Sequence, residues 1–142
     1  MTRSLHVKDA ARMAEIHAQS FYKGWPAAEM QGHVTQDLCF GHGRPLDGFL
    51  ILRHGGDQAE ILTIAVDNAA RRQGIAGALL DIAETELLDL GVELFFLEVA
   101  EDNEAAIAFY KKYGFKPIGR RPSYYKRDMG RVAALTFQKA LR

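Results

Sequence analysis

The chain has 142 residues, 48% hydrophobic and 25% charged, which suits one domain, residues 1–142, with a real core. Eighteen basic residues balance eighteen acidic ones, so bulk charge makes no case for nucleic acid or an anionic membrane as the main partner. Cys39 is the only cysteine and no long apolar stretch occurs, which excludes an intrachain disulfide, argues against a membrane span and points to the cytoplasm.

In chain order, "DAARMAEIHAQSF" sets Ala10, Met13, Ile16, His17 and Phe21 on one helical stripe, with Asp9 placed to cap it. "YKGWPAAEMQGH" carries Gly24, Pro26 and Gly32 and reads as a loop or a broken helix; "LCFGHGRPLD" reads as another loop. "GFLILR" and "AEILTIAV" are short apolar runs joined by "HGGDQ", which predicts an antiparallel hairpin. Beyond it, Ile75, Leu79, Ile82, Ala83, Leu87 and Leu90 recur at three- and four-residue steps, so a helix ends near Leu90 with Gly91 as its stop. "VELFFLEVA" is a strand, apolar on both faces but for its ends and Glu98. "NEAAIAFYKKYGF" is a shorter helix with Asn103 as N-cap, lysines in the last turn and Gly114 as stop. "FKPIGR" and "RVAALTFQKAL" are two further strands. The order predicts an α/β or α+β domain with one parallel strand–helix–strand crossover.

The turn that opens the long helix, "RRQGIAG", holds two arginines and two glycines. A helix N-terminus presents unsatisfied N–H groups and partial positive charge, and so favours phosphate. Glycines let a ligand approach the backbone, and Arg71 and Arg72 could add charged hydrogen bonds. A plain loop-to-helix junction, with one glycine for helix packing, explains the same residues. No G-K-[ST] and no G-x-G-x-x-G is present, which disfavours a P-loop nucleotide hydrolase and a dinucleotide fold.

Arg71-Arg72-Gln73-Gly74-Ile75-Ala76 matches [RQ]-x-x-G-x-[GA]. Together with "ILTIAVDNAARRQGIAGALL", "LFFLEVAEDNEAAIAFYKKYGFKPIGRR" and "SYY", it resembles the GNAT superfamily of N-acetyltransferases, in particular the ribosomal-protein-alanine acetyltransferase branch. The likeness runs from about Ile61 to Tyr125. It implies a mixed, mostly antiparallel sheet with helices on both faces and the parallel crossover at an acetyl-CoA site. It implies that amides from Arg71, Arg72, Gln73, Gly74, Ile75, Ala76 and Gly77 cradle the coenzyme A pyrophosphate. Ile64, Ala65 and Val66 would run beside the pantetheine arm, and Asn103 would add a contact where its residue type equally suits a helix cap.

The resemblance assigns Glu98 as general base and Tyr110 as general acid in direct attack, without an acyl-enzyme. From the residues alone, Glu98 could instead be a solvent-facing or arginine-paired strand carboxylate, and Tyr110 a core tyrosine. Cys39 needs no nucleophilic role, and five scattered histidines suggest no metal site. Tyr124 and Tyr125 match a pair near the acceptor, while Phe21, Tyr22 and Trp25 fall where the family builds the opposite wall; all could equally be packing aromatics. The branch often carries an acidic pair at the start of its last strand, where this chain has Val132-Ala133. The implied acceptor is a protein N-terminus, notably alanine of a ribosomal protein. A small amine, a lysine side chain, or a weakly catalytic coenzyme A-binding module are the alternatives.

Overall fold

A computed structural model describes residues 1–141. Seven strands form one sheet: β1 (Thr2–Ser4), β2 (Leu38–His42), β3 (Gly48–Gly55), β4 (Gln58–Val66), β5 (Leu94–Ala100), β6 (Lys116–Arg127) and β7 (Gly130–Ala140). Their order across the sheet is β1-β2-β3-β4-β5-β7-β6. Only β4 and β5 run parallel; every other neighbouring pair is antiparallel. The four α-helices are α1 (Ala10–Ala18), α2 (Ala27–Gln36), α3 (Ile75–Asp89) and α4 (Glu104–Lys112).

The run "FLIL" shows no alternation because β3 is covered on both faces. Leu50 and Leu52 pack with Leu79, Leu80, Ala83 and Leu87 of α3. Phe49 and Ile51 pack with Met13 and Ile16 of α1 and Met30 of α2. Helices on both faces and a mostly antiparallel sheet are as the resemblance implied, and α3 is the predicted parallel crossover. It ends at Asp89, with Gly91 at φ +83°, a left-handed turn that a Cβ would strain. Asn103 caps α4: its Oδ1 accepts from Ala106 N–H at 3.1 Å. No helix among the described residues is long and apolar enough to cross a membrane.

Several local expectations need correction. The segment read as a loop or broken helix contains α2, which starts directly after Pro26 and tolerates Gly32 on an open face. The next supposed loop begins with strand β2, which pairs with β1 far back in the chain and with β3 across a short turn. The strand expected over "FKPIGR" runs on through "SYYKR" as β6. Helix α1 stops at Ala18, so Phe21 lies beyond its stripe and is partly exposed. Asp9 does not cap α1 with its side chain. A short 3-10 turn (Val7–Asp9) precedes that helix, and the carboxylate instead accepts from His6 N–H and pairs with Arg3.

The junction of α1 and α2 is an aromatic ladder. The His17 ring lies 4.1 Å from Phe21 and 4.7 Å from Trp25, which in turn lies 4.9 Å from His33. His17 Nδ1 accepts the Trp25 backbone N–H at 3.1 Å. Burial, with the nearby His33 charge, lowers the His17 pKa to about 4. Below the ordinary value of 6.5, an unfolded chain binds a proton that the folded chain refuses. Stability is therefore fully present above that value and falls as the pH drops toward 4, by about 3 kcal/mol in all. His17→Gln keeps an acceptor for Trp25 and cannot titrate. Denaturant unfolding across this window should show a shallower acid loss in the variant; identical pH profiles would contradict the assignment.

Candidate active site

A break in pairing between β4 and β5 creates the site. The two strands match in parallel from Gln58 with Leu94 to Ile61 with Leu97, and no further. Yet β4 continues to Val66 and β5 to Ala100. Just where pairing stops, β4 carries a bulge: Leu52 faces Ile61 and Ile51 faces Thr63, leaving Leu62 unmatched. A bulge bends its strand and increases the local twist, which turns the end of β4 away from β5. The main-chain groups of Ile64, Ala65 and Val66 that would have bonded to β5 are left facing the opening.

The bulge also swaps the faces of β4. Beyond it, Ile64 and Val66 pack on the α3 side, while Ala65 joins the α1–α2 side. Thr63 shares the face of Ala65 by strand alternation. In β5, Phe95, Leu97 and Val99 pack on the α3 side, so Glu98 points to the α1–α2 side. Thr63 Oγ1 and Glu98 Oε2 are both buried without a hydrogen-bond partner. A buried polar atom left unpaired costs about 1–3 kcal/mol, which bears on Thr63 Oγ1; both atoms stand on the same face beside the opening. Thr63 was not singled out in the sequence. Its signal was the one that exposed Glu98, a polar residue inside an apolar strand.

At the far end of β4 lies the glycine turn. Gly74 has φ +76° and Arg72 φ +66°. Gly74 precedes α3 without any side-chain cap, and the first helical bond is Ala78 N–H to Gly74 O at 3.0 Å. Among the described residues, the N–H groups of Ile75, Ala76 and Gly77 have no acceptor. The Ile75 side chain is buried against Gly48, so that residue can offer a ligand its backbone only. The turn is tied to the end of α1. Arg12 pairs with Asp67, Gln19 Oε1 accepts from Asn68 N–H at 2.8 Å, and Arg71 Nη2 donates to Ser20 Oγ at 2.6 Å. Arg72 has no such tie among the described residues, and Gln73 is exposed.

The two glycines have different causes. Gly74 has open space where a Cβ would stand and is required by its positive φ. Gly77 is required by packing: a Cβ there would lie 2.0 Å from the Tyr113 hydroxyl of the α4 C-cap. The helix-packing explanation therefore accounts for the missing side chain at Gly77.

Glu98 is not alone in the opening. Arg121 Nη2 approaches Glu98 Oε2 to 3.2 Å, an ion pair without hydrogen-bond alignment. Tyr125 responds to the same carboxylate: burial first, then the charge of Glu98, pushes its phenol up to about 12. Tyr110 is buried in the cluster on the α3 side, and burial together with Tyr125 holds its phenol above the ordinary value. Tyr110 thus keeps its proton at any physiological pH, on the other side of the opening from Glu98. Tyr124 packs edge-on against Tyr125 at 4.9 Å. Trp25 belongs to the aromatic ladder of α1 and α2, whereas the exposed Tyr22 places its hydroxyl beside Asp128 in the β6–β7 turn. Cys39 lies outside this constellation; burial pushes its thiol up to about 12, leaving little thiolate.

The family model of the GNAT acetyltransferases matches residues 10–115. The chain belongs to the acetyltransferase (GNAT) family. The N-acetyltransferase class implied by the sequence motif is borne out. The chain is 42% identical over 108 residues to the ribosomal protein bS18-alanine N-acetyltransferase of Escherichia coli, covering 76% of this chain and 73% of that one. It is 39% identical over 129 residues to an uncharacterized protein of Mycobacterium leprae. That match covers 82% of this chain but only 34% of the relative, so the chain spans about a third of the mycobacterial protein. The crystal structure of the ribosomal-protein-S18-alanine N-acetyltransferase from Escherichia coli superposes with a TM-score of 0.91 at 29% identity, over 99% of this chain and 93% of that one.

In this GNAT chain, Thr63→Val replaces an unpaired hydroxyl by a methyl of similar shape. The melting temperature should hold or rise, while acetyl transfer at saturating cosubstrate should slow by about fivefold, the worth of one hydrogen bond. Marked destabilisation with unaltered turnover would place the hydroxyl outside the site.

Proposed function

We propose that this acetyltransferase moves the acetyl group of acetyl-CoA to the N-terminal α-amine of a protein, by direct attack within a ternary complex. The observation that carries this reading is the opened β4–β5 seam, with unpaired helix amides at one end and, in its wall, a buried carboxylate oxygen that has an Arg121 ion pair but no hydrogen bond. The residues suit the cosubstrate. The free N–H groups of Ile75, Ala76 and Gly77, with Gly74 and Gln73 before them, match an anionic pyrophosphate. Arg72 is available to add charge, and Arg71 serves first to anchor the turn to Ser20. The open edge of Ile64, Ala65 and Val66 suits the amide-bearing pantetheine arm. Asn103 uses Oδ1 as the α4 cap, which leaves its amide nitrogen for a ligand.

Acetyl-CoA supplies an activated thioester carbonyl; the protein must supply a free amine and a proton for the departing sulfur. An α-amine has a pKa of about 8, against about 10.4 for lysine, so a carboxylate can deprotonate it near neutrality far more readily. Glu98 takes that proton, directly or through one water, from the α1–α2 side. Tyr110, held protonated on the opposite side, delivers its proton to the thiolate as the carbon–sulfur bond breaks; the proton still carried by the acylated nitrogen restores the phenol, and Glu98 releases its own to solvent. The acceptor enters between Tyr124 and Tyr125 on one wall and the α1–α2 loop, with Tyr22 and Trp25, on the other. An N-terminal alanine of a ribosomal protein is the leading acceptor, supported by the likeness to the bS18-alanine enzyme. Neutral pI and the single free cysteine suit a cytoplasmic protein.

Glu98→Gln and Tyr110→Phe should each lower turnover by about a hundredfold, while acetyl-CoA affinity by calorimetry stays within about threefold. Coenzyme A release should be robust with peptides that begin in alanine and weak with N-acetylated lysine peptides or small amines. Unaltered rates in both variants would remove the acid and base roles, and activity confined to small amines would overturn the acceptor.

A further inference from the structure

The proposed base already has a cation on it. Arg121 Nη2 stands 3.2 Å from Glu98 Oε2, and its guanidinium carbon lies 4.5 Å from the centre of the Tyr124 ring. The Arg121 side chain is 57% exposed and that of Glu98 only 22%, so the guanidinium lies on the solvent side of the carboxylate. The other carboxylates of this wall are also matched. Arg120 pairs with Glu101 at 3.1 Å, Arg127 with Asp102 at 2.9 Å, and Asp128 faces the Tyr22 hydroxyl. Lys126 and Arg131, opposite one another near the β6–β7 turn, have no acidic partner among the described residues. Where the resembling branch often carries its acidic pair, Val132 sits opposite Tyr125 and Ala133 is buried.

An acceptor that arrives as an ammonium brings a second cation to a carboxylate that holds one. Arg121 then loses its counter-ion unless the acceptor supplies another. A guanidinium accommodates a carboxylate with two parallel N–H bonds. Consecutive Cα atoms lie about 3.8 Å apart, so an acceptor whose α-amine sits on Glu98 holds its second Cα close by, and an aspartate or glutamate side chain there can extend to a guanidinium that already touches Glu98.

We infer that Arg121 is a specificity-determining residue that selects acceptor chains with aspartate or glutamate directly behind the N-terminal residue. It rests on the N-terminal acceptor reading above. On binding, the acceptor carboxylate takes over Arg121 while the acceptor amine takes over Glu98, so each charge keeps a partner. A basic second residue meets Arg121, with no free carboxylate beside it to receive the charge.

The test uses the full chain, acetyl-CoA and three peptides identical except at the second residue: Ala-Glu, Ala-Gln and Ala-Arg. Wild-type kcat/KM should favour Ala-Glu over Ala-Arg by about tenfold or more, with Ala-Gln between them. Arg121→Gln should compress that range to about twofold, and Arg120→Gln, which frees only Glu101, should leave most of it. Equal or better use of Ala-Arg by the wild type overturns the inference, as does an undiminished preference in Arg121→Gln. Should that variant fail to fold, the wild-type order and Arg121→Lys, which keeps charge without the fork and should retain part of the preference, decide it. Acetylation of all three peptides without order removes the Arg121 role alone. No acetylation of any of them removes the acceptor reading, and this inference with it.

Discussion

The unmatched Leu62 in β4 governs the geometry of the candidate site. Up to that residue β4 pairs with β3 on one side and β5 on the other, as a central strand should. After it, the β3 pairing survives in a shifted register and the β5 pairing ends. A buried sheet does not ordinarily leave backbone donors and acceptors open on two neighbouring strands. Both strands persist here because their other edges remain bonded, β4 to β3 and β5 to β7. The opening is thus a property of the sheet itself, rigid on both walls, rather than a cleft between loops.

The same bulge decides which side chains face the opening. By shifting the alternation of β4, it puts Thr63 on the face of Glu98 and keeps Ile64 and Val66 under α3. The proposed base and acid consequently come from opposite sides of one seam, Glu98 from the α1–α2 face and Tyr110 from the α3 cluster. Tyr125 couples to both, since its phenol is raised by Glu98 and in turn raises Tyr110. Holding two phenols and a carboxylate in mutual reach keeps both phenols protonated while the carboxylate retains an arginine partner. This suits a reaction that takes one proton in at the amine and gives another out at the sulfur.

Much of this was legible in the residues. Glu98 stood out as a charge in an apolar strand, Asn103 and Gly114 bracketed a helix, and the period of Ile75, Leu79, Ile82 and Leu87 defined α3. Those signals are local, carried by alternation, helical spacing or turn chemistry. Helix α2 was obscured because Pro26 and Gly32 interrupt a weakly amphipathic stretch, and Pro26 in fact marks its start. Strands β1 and β2 are short and rich in glycine and polar residues near their ends, and pairing defines them: β2 with β3 across a short turn, and β1 with β2 far along the chain. The Leu62 bulge left no local trace, for "ILTIAV" reads the same with or without it. Nor could spacing show that Arg121 reaches Glu98, since that contact depends on the long β6–β7 hairpin folding back beside β5. The two glycines of α3 looked alike in the sequence and proved to answer different constraints, one a backbone angle and one the Tyr113 hydroxyl.

The central claim is that the opened seam and the bare start of α3 form one continuous cosubstrate site. Backbone amide shifts followed by NMR during a titration with coenzyme A test it most directly, because they report each N–H separately and need no substitution. The account predicts the largest, saturable shifts at Gly74, Ile75, Ala76 and Gly77, accompanied by Ile64 to Val66, with β1, β2 and the far end of α3 unmoved. Saturable binding that leaves the amides of residues 74–77 unshifted would contradict it.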